Sequence, residues 1–382
     1  MDKKKIVSRL LRIIRNGRIV YSDEERKSLQ QITKEFFISS LKSRSIASYY
    51  FTSLLYKKNI INYLDYISHK EWQYMQRVMC DDSTHAILGD KLYFHKHFEG
   101  FNIPMPRLLA YNLREKVVVS GEKGWTSHEV TTPESLDIIL KTLLFRSSNH
   151  AIFMKPTLLS GGHGIVRFSD ENVSLQKHQL TDLLEKITSD SYIFQDGVKQ
   201  HGDLEMLNRT TLNTIRIDTF KACGQKPEII SAFIRIGREG SFVDNITAGG
   251  FYVGINMETG RLRPYGVLEI PDGGMLLTHH PVSGMKFEGF LIPYYEKVKS
   301  LAIEAADCLP QSLIGWDIGV SESGPVLIEG NTVYYAMQCS DVAYGGYRNN
   351  PVYNKVTDYV TNKKRKTSYA RISHVNLSAI CF

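Results

Sequence analysis

The stretch GWDIGVSESGPVLIEGN, residues 315–331, decides how the chain is read. It divides into two β-rich runs around Ser-Glu-Ser-Gly, the pattern of a hairpin, and a turn centred near Ser323 sets Asp317 directly across from Glu329. Side chains alternate along a strand, so Glu329 and Asn331 share a face. Three oxygen-bearing side chains therefore converge on a small volume, where facing carboxylates repel. Something cationic is expected between them.

A second unusual stretch lies upstream. Lys155 ends the apolar run AIFMK, and Gly161, Gly162, His163 and Gly164 follow in a loop that returns at once into the run IVRF. Glycines allow successive backbone N–H groups to point into one concavity, a cradle for phosphate oxygens. The order differs from a Walker loop, whose lysine follows the glycines and opens a helix, and it is not GxGxxG. Taken alone, the loop is equally a hairpin turn. The downstream acids change that balance, because Mg²⁺ prefers carboxylate, amide and water oxygens. Lysine, glycine cradle and metal carboxylates are the parts of a nucleoside-triphosphate enzyme.

Around these stretches the chain changes texture. Residues 22–80 read as helices with little Gly or Pro to stop them, and alternating strands and helices follow from 81. GDKLYFHKHFEG predicts a helix capped by Asp90 and closed near Gly100, followed by an extended Pro-x-Pro exit. KVVVS and AIFMK are expected strands flanking the helix PESLDIILKTLLFR. Residues 211–271 are β-rich, and PYYEKVKSLAIEAADCL is expected to form a helix started by Pro293.

The chain has 382 residues, 42% of them apolar, enough for two or three associated domains, and no apolar run approaches the roughly 18–20 residues of a membrane span. Five scattered cysteines without a CxxC pair favour neither a disulfide framework nor a zinc site, and fit a reducing cytoplasm. Of the net charge of +7, residues 1–18 carry +6 and residues 341–382 carry +5, leaving about −4 in the middle. That distribution argues against nucleic acid as a partner. Lys3 to Arg18 reads as a basic amphipathic helix, with two expectations attached: docking on an anionic membrane, helped by Lys363 to Lys366, or a solvated cover of the domain.

Taken together, the motifs resemble the ATP-grasp superfamily over residues 85–335. GDK…FNIPMP is similar to its Asp-Lys helix and exit, FMKPTLLSGGHGIV to its second lysine and glycine loop, YIFQDGV to its adenine linker, and GWDIG…VLIEGN to its metal site. More narrowly, QDGVKQH, LNTIRI, RIGREGSFVDN…GG, HPVSG and GP-x-LIEGN resemble the sugar-transfer-associated branch.

The resemblance implies an α+β, ATP-grasp fold with a helical N-terminal region. The expected divisions are a helical region 1–80, a pre-ATP-binding region 81–150, a small subdomain 151–200, a large subdomain 201–345 and a basic tail 346–382. It implies ATP and one or two Mg²⁺ ions. Lys91, Lys155 and the loop Gly161–Gly164 would hold phosphates, Gln195, Asp196 and Val198 would meet adenine, and His201 would contact ribose or phosphate. Asp317, Glu329 and Asn331 would hold metal, neutralising the facing acids.

One departure is Trp316, which stands where related ligases carry an arginine. Arg216 is then the first choice of γ-phosphate cation, with Arg235 and Arg238 behind it, although Arg216 could instead pair with Asp218 or Asp244. The implied function is a carboxylate-amine ligase working through an acyl phosphate, in polysaccharide or conjugate synthesis. The alternatives are a kinase on the same scaffold and a nucleotide-binding membrane scaffold protein. The expected site in the cell is the cytoplasm, peripheral to the membrane if the basic helix docks.

Overall fold

The computed structural model describes residues 3–159, 161–170, 175–238, 240–241, 246, 249–333, 335 and 337–363, with the backbone alone at 3–10, 12 and 13. Their strands fall into two antiparallel sheets. The first contains β1 (Leu108–Leu113), β2 (Lys116–Gly121), β3 (Gly124–Glu129), β4 (Ala151–Pro156), β5 (Val166–Ser169) and β6 (Tyr192–Asp196), in the order β3-β2-β1-β6-β4-β5. The second contains β7 (Ile215–Lys221), β8 (Glu228–Ile236), β9 (Phe251–Ile255), β10 (Leu262–Val267), β11 (Leu276–Leu277), β12 (Ser312–Ser321) and β13 (Gly324–Asn331), in the order β11-β10-β9-β8-β7-β12-β13.

The first sheet crosses the boundary expected at residue 150. β1 pairs with β6, so 81–150 and 151–200 contribute strands to one unit, whose core joins Val117, Val119, Leu140 and Leu143 to Met154 and Phe194. The sequence reading missed β1 and β3. Every residue of β3 is exposed, so it lacks the alternation that marks a half-buried strand.

Alternation organises the second sheet. Ile215 and Ile217 of β7 face a core closed by Val298, Leu301, Ala302 and Ala305 of the helix Tyr295–Asp307. That helix starts two residues beyond Pro293, because Tyr294 adopts a left-handed conformation (φ 55°) and breaks the turn there. Trp316 faces the same core, edge-on to Phe98 at 5.7 Å, with its indole N–H on Thr219 at 2.8 Å. A tryptophan at this inward position serves packing and leaves the cation to another strand.

The opposite face of the sheet is covered by both ends of the chain. Tyr50, Leu54 and Tyr56 pack on Phe233 and Tyr252, while Trp72, Met75 and Met79 pack with Phe220, Ile230 and Leu313. Tyr347, Tyr353, Val356 and Val360 complete that second cluster, so the segment expected as a tail from 346 is, over 351–363, a helix of the core. Aromatic and β-branched residues among its lysines supply the buried stripe, each worth about 1.5–3 kcal/mol when fully buried. Lys364 to Lys366 lie outside the described residues.

Candidate active site

The two sheets enclose a cleft of about 1290 Å³. The predicted hairpin forms its acidic wall: β12 and β13 pair with Asp317 opposite Glu329 and Gly315 opposite Asn331. The neighbouring strand sets Arg216 directly across from Asp317 on the other side. Gly315 is required at its position, since a Cβ there would stand 2.8 Å from the Tyr335 ring and 3.0 Å from Arg216 Cδ.

The expected cation is therefore supplied by the chain itself. Arg216 Nε and Nη2 donate to Asp317 Oδ1 and Oδ2 at 2.6 and 3.0 Å, and Arg235 Nη2 lies 3.0 Å from Oδ2. Asn331 Nδ2 adds a longer contact to the same oxygen at 3.3 Å. This corrects the alternative partners named for Arg216. Asp218 instead accepts from Ser231 at 2.9 Å and from Ser340, and Asp244 lies outside the described residues. Burial opposes the charge on Asp317, but Arg216 and Arg235 outweigh it and hold the carboxyl below its ordinary range.

Glu329 is different. It is half-buried and lines the cleft, and its carboxylate makes no hydrogen bond or ion pair with the described residues. The donor set of two carboxylates and an amide oxygen fits Mg²⁺, with Glu329 and Asn331 Oδ1 open and Asp317 already engaged by guanidinium.

Lys91 and Lys155 line the same space. Asp90 caps the helix Lys91–Glu99 by accepting from the N–H groups of Leu92 and Tyr93, at 2.8 and 2.9 Å, which fixes Lys91 in its first turn. The Lys91 N–H bonds Thr157 O at 2.9 Å and its ammonium bonds Leu159 O, so the helix start is tied to the glycine loop. Gly161, Gly162 and Gly164 all have positive φ (69°, 76° and 74°), and a Cβ on Gly164 would meet Pro156 Cγ at 2.9 Å. Gly161 and Gly162 line the cleft; His163 and Gly164 do not.

Lys155 donates to Gln195 Oε1 at 2.9 Å. Burial, then Lys91, lowers its pKa to about 8, with Glu329 acting the other way. A bound polyanion favours the ammonium form and raises that pKa again. Above pH about 8 the free protein must regain a proton to bind, so nucleotide affinity is expected to fall as pH rises through that value. Titration calorimetry near pH 8.5 in two buffers of different ionisation enthalpy reads the uptake, roughly half a proton or more. Lys155→Ala should abolish it and weaken binding about tenfold or more. Zero uptake by the unaltered protein would remove Lys155 from the phosphate site.

Of the linker, Gln195, Asp196 and Val198 line the cleft. The Asp196 carboxylate is occupied by Ser147 Oγ at 2.5 Å and the Ser148 N–H at 3.1 Å, and its own N–H by Arg107 O at 2.9 Å. Asp196 thus braces the linker. The Val198 N–H has no hydrogen-bond partner among the described residues. His201 is absent from the cleft lining: it caps the short helix Gly202–Glu205 and lies 3.6 Å from Glu322.

Some contributors escaped the sequence reading. His95 is buried with its pKa lowered by that burial to about 4, and its neutral Nδ1 stands 3.5 Å from Gln195 Nε2. It backs the amide that holds Lys155. Tyr335 lies under the Arg216 guanidinium at 5.6 Å. Beyond the arginines the cleft continues to Glu269 and Gln338.

The lysine pair, glycine loop, linker and hairpin acids, strung along two antiparallel sheets in this order, define an α+β protein of the ATP-grasp fold. The chain belongs to the sugar-transfer associated ATP-grasp family, which matches residues 71–351.

Among solved structures it is similar to the D-alanine-D-alanine ligase of Coxiella burnetii, with 10% identity over 76% of this chain and 62% of that one and a TM-score of 0.40. The D-alanyl-alanine synthetase A of Vibrio cholerae gives 14% identity, 73% and 66% coverage and a TM-score of 0.42. An L-amino acid ligase from Bacillus licheniformis gives 11%, 68%, 43% and 0.36. The chain spans less than two thirds of the length of each. No curated protein matches the sequence. Among the described residues, no helix is long and apolar enough to cross a membrane.

Proposed function

We propose that the chain is an ATP-dependent carboxylate-amine ligase acting in polysaccharide or related conjugate synthesis. The observation that carries this reading is one cleft in which two lysines and a glycine nest face an unpaired carboxylate beside two arginines. Its volume of about 1290 Å³ exceeds the roughly 300–1,000 Å³ of a single small-ligand site, which leaves space for a substrate beside the nucleotide.

Lys91, Lys155 and the N–H groups of Gly161 and Gly162 would hold the phosphates, and the free Val198 N–H would meet the adenine edge. Glu329 and Asn331, with Asp317 behind them, would hold Mg²⁺, which when bound supplies neutralisation of charge on the β- and γ-phosphates. Arg216 and Arg235 would offer N–H groups to the transferring phosphoryl group, in place of the arginine that Trp316 displaces. A substrate carboxylate oxygen attacks the γ-phosphorus and ADP leaves. An amine nitrogen then attacks the acyl carbon, phosphate leaves with its electron pair, and the nitrogen loses a proton to leave an amide.

The test follows the γ-phosphate. ADP and inorganic phosphate should accumulate only when a carboxylate and an amine are both present, and hydroxylamine should divert the acyl phosphate to a hydroxamate. A stable phosphoester formed in step with ADP would make the protein a kinase instead.

A further inference from the structure

The helix Leu29–Ser43 buries Ile32, Glu35 and Ser39 against the body of the protein. Its one acid, Glu35, is turned inward and held by Lys27 at 2.6 Å and the Tyr50 hydroxyl at 2.7 Å. The outward face is of another kind. Lys34, Phe37, Leu41 and Arg44 recur at steps of three and four residues, so they form one stripe, and Phe37 and Leu41 are 62% and 64% exposed. Arg44 closes the helix in a left-handed conformation, and the returning chain, tied by the Ala47 N–H to Ser40 Oγ at 3.1 Å, leaves Ile46 81% exposed beside the stripe's end.

The preceding helix, Lys3–Ser22, continues this chemistry. Val20 anchors its end in the core, while Leu11 and Ile14 are exposed together with Arg15 and Arg18. Arg26, in the turn between the two helices, sets its Nε on Tyr21 O at 2.9 Å and its guanidinium over the Tyr21 ring.

We propose that the outer face of these two helices lies on an anionic lipid bilayer. Large apolar side chains among a majority of cations, with Glu24 and Glu25 the exposed acids of the connecting turn, match a surface with negative headgroups above hydrocarbon, where the apolar tips enter the boundary and the lysines and arginines stay at headgroup level. A protein partner would be expected to meet the stripe with acids of its own, and nothing else in the surface asks for a fixed register. The absence of any outward acid on Leu29–Ser43 is the complementarity that favours lipid. The proposal is independent of the reaction assigned to the cleft.

Sedimentation of the full chain with vesicles tests it, using phosphatidylcholine alone and phosphatidylcholine with about one third phosphatidylglycerol. The unaltered protein should bind the anionic vesicles and be released by added salt. Phe37→Ser with Leu41→Ser, and separately Lys34→Glu with Arg44→Glu, should each lower partitioning about tenfold or more, with melting temperatures unchanged because all four side chains are exposed. Phe145→Ser, which removes a still more exposed ring (90%) on the helix Pro133–Arg146, should change nothing. Undiminished binding by both paired variants, or equal binding to neutral vesicles, overturns the proposal. So does failure to bind anionic vesicles at low salt, including the case in which the Phe37 and Leu41 variant instead abolishes self-association of the chain.

Discussion

Replacing Glu329 by alanine is expected to lower ATP turnover by about a hundred- to a thousandfold while leaving the melting temperature where it was. The two halves of this expectation have separate causes. The Glu329 carboxylate makes no hydrogen bond or ion pair with the described residues, so its removal breaks no polar contact that holds the hairpin. Its carboxylate is also the open oxygen group beside Lys155 and across from Asp317, the position from which a metal ion between phosphates would be held. Steady-state ADP release over a Mg²⁺ titration, with a thermal melt alongside, reads both. Unchanged turnover would place the metal elsewhere.

Asp317→Asn should behave in the opposite way and fail mainly as a folded protein. Asp317 is buried with two guanidiniums on its oxygens, at 2.6 and 3.0 Å from Arg216 and 3.0 Å from Arg235. Without its charge, a buried and a partly buried cation remain side by side, a change that costs about 3–5 kcal/mol and lowers the melting temperature by roughly 5–10 °C. Adding Arg216→Gln should recover much of the stability and none of the turnover. Thermal and denaturant unfolding of the single and double variants measures the coupling. An Asp317→Asn protein as stable as the parent would show that the ion pair carries no weight in the fold.

The contrast between these two acids marks where the sequence stopped being informative. The strand period and the Ser-Glu-Ser-Gly turn were enough to place Asp317 opposite Glu329, because register in a tight hairpin is local. That Arg216 stands on the far side of Asp317 depends on β7 lying beside β12, a pairing of residues 101 positions apart that no local pattern announces. The sequence reading therefore assigned the neutralising charge to metal alone. The helix capped by Asp90 was legible because capping is local. The small sheet was not, since β3 is exposed throughout and β1 hides in an exit segment between prolines and a turn. His201 was placed by motif similarity, which carries no geometry, and it does not line the cleft.

The way residues 50–79 and 347–360 meet beside the cleft on one face of the large sheet bears on how the protein is made. The Ile67 N–H bonds Asp341 across 274 positions, Arg348 holds Glu71 across 277, and Trp72 packs on Tyr347 and Tyr353. During synthesis the first helices emerge long before the residues that cover them, and loop closure over such a span is slow. The apolar surface of Trp72, Met75 and Met79 therefore waits for Tyr347 and Tyr353 to be translated before its cover is complete. A nascent chain stalled before residue 345 would be a client for chaperones.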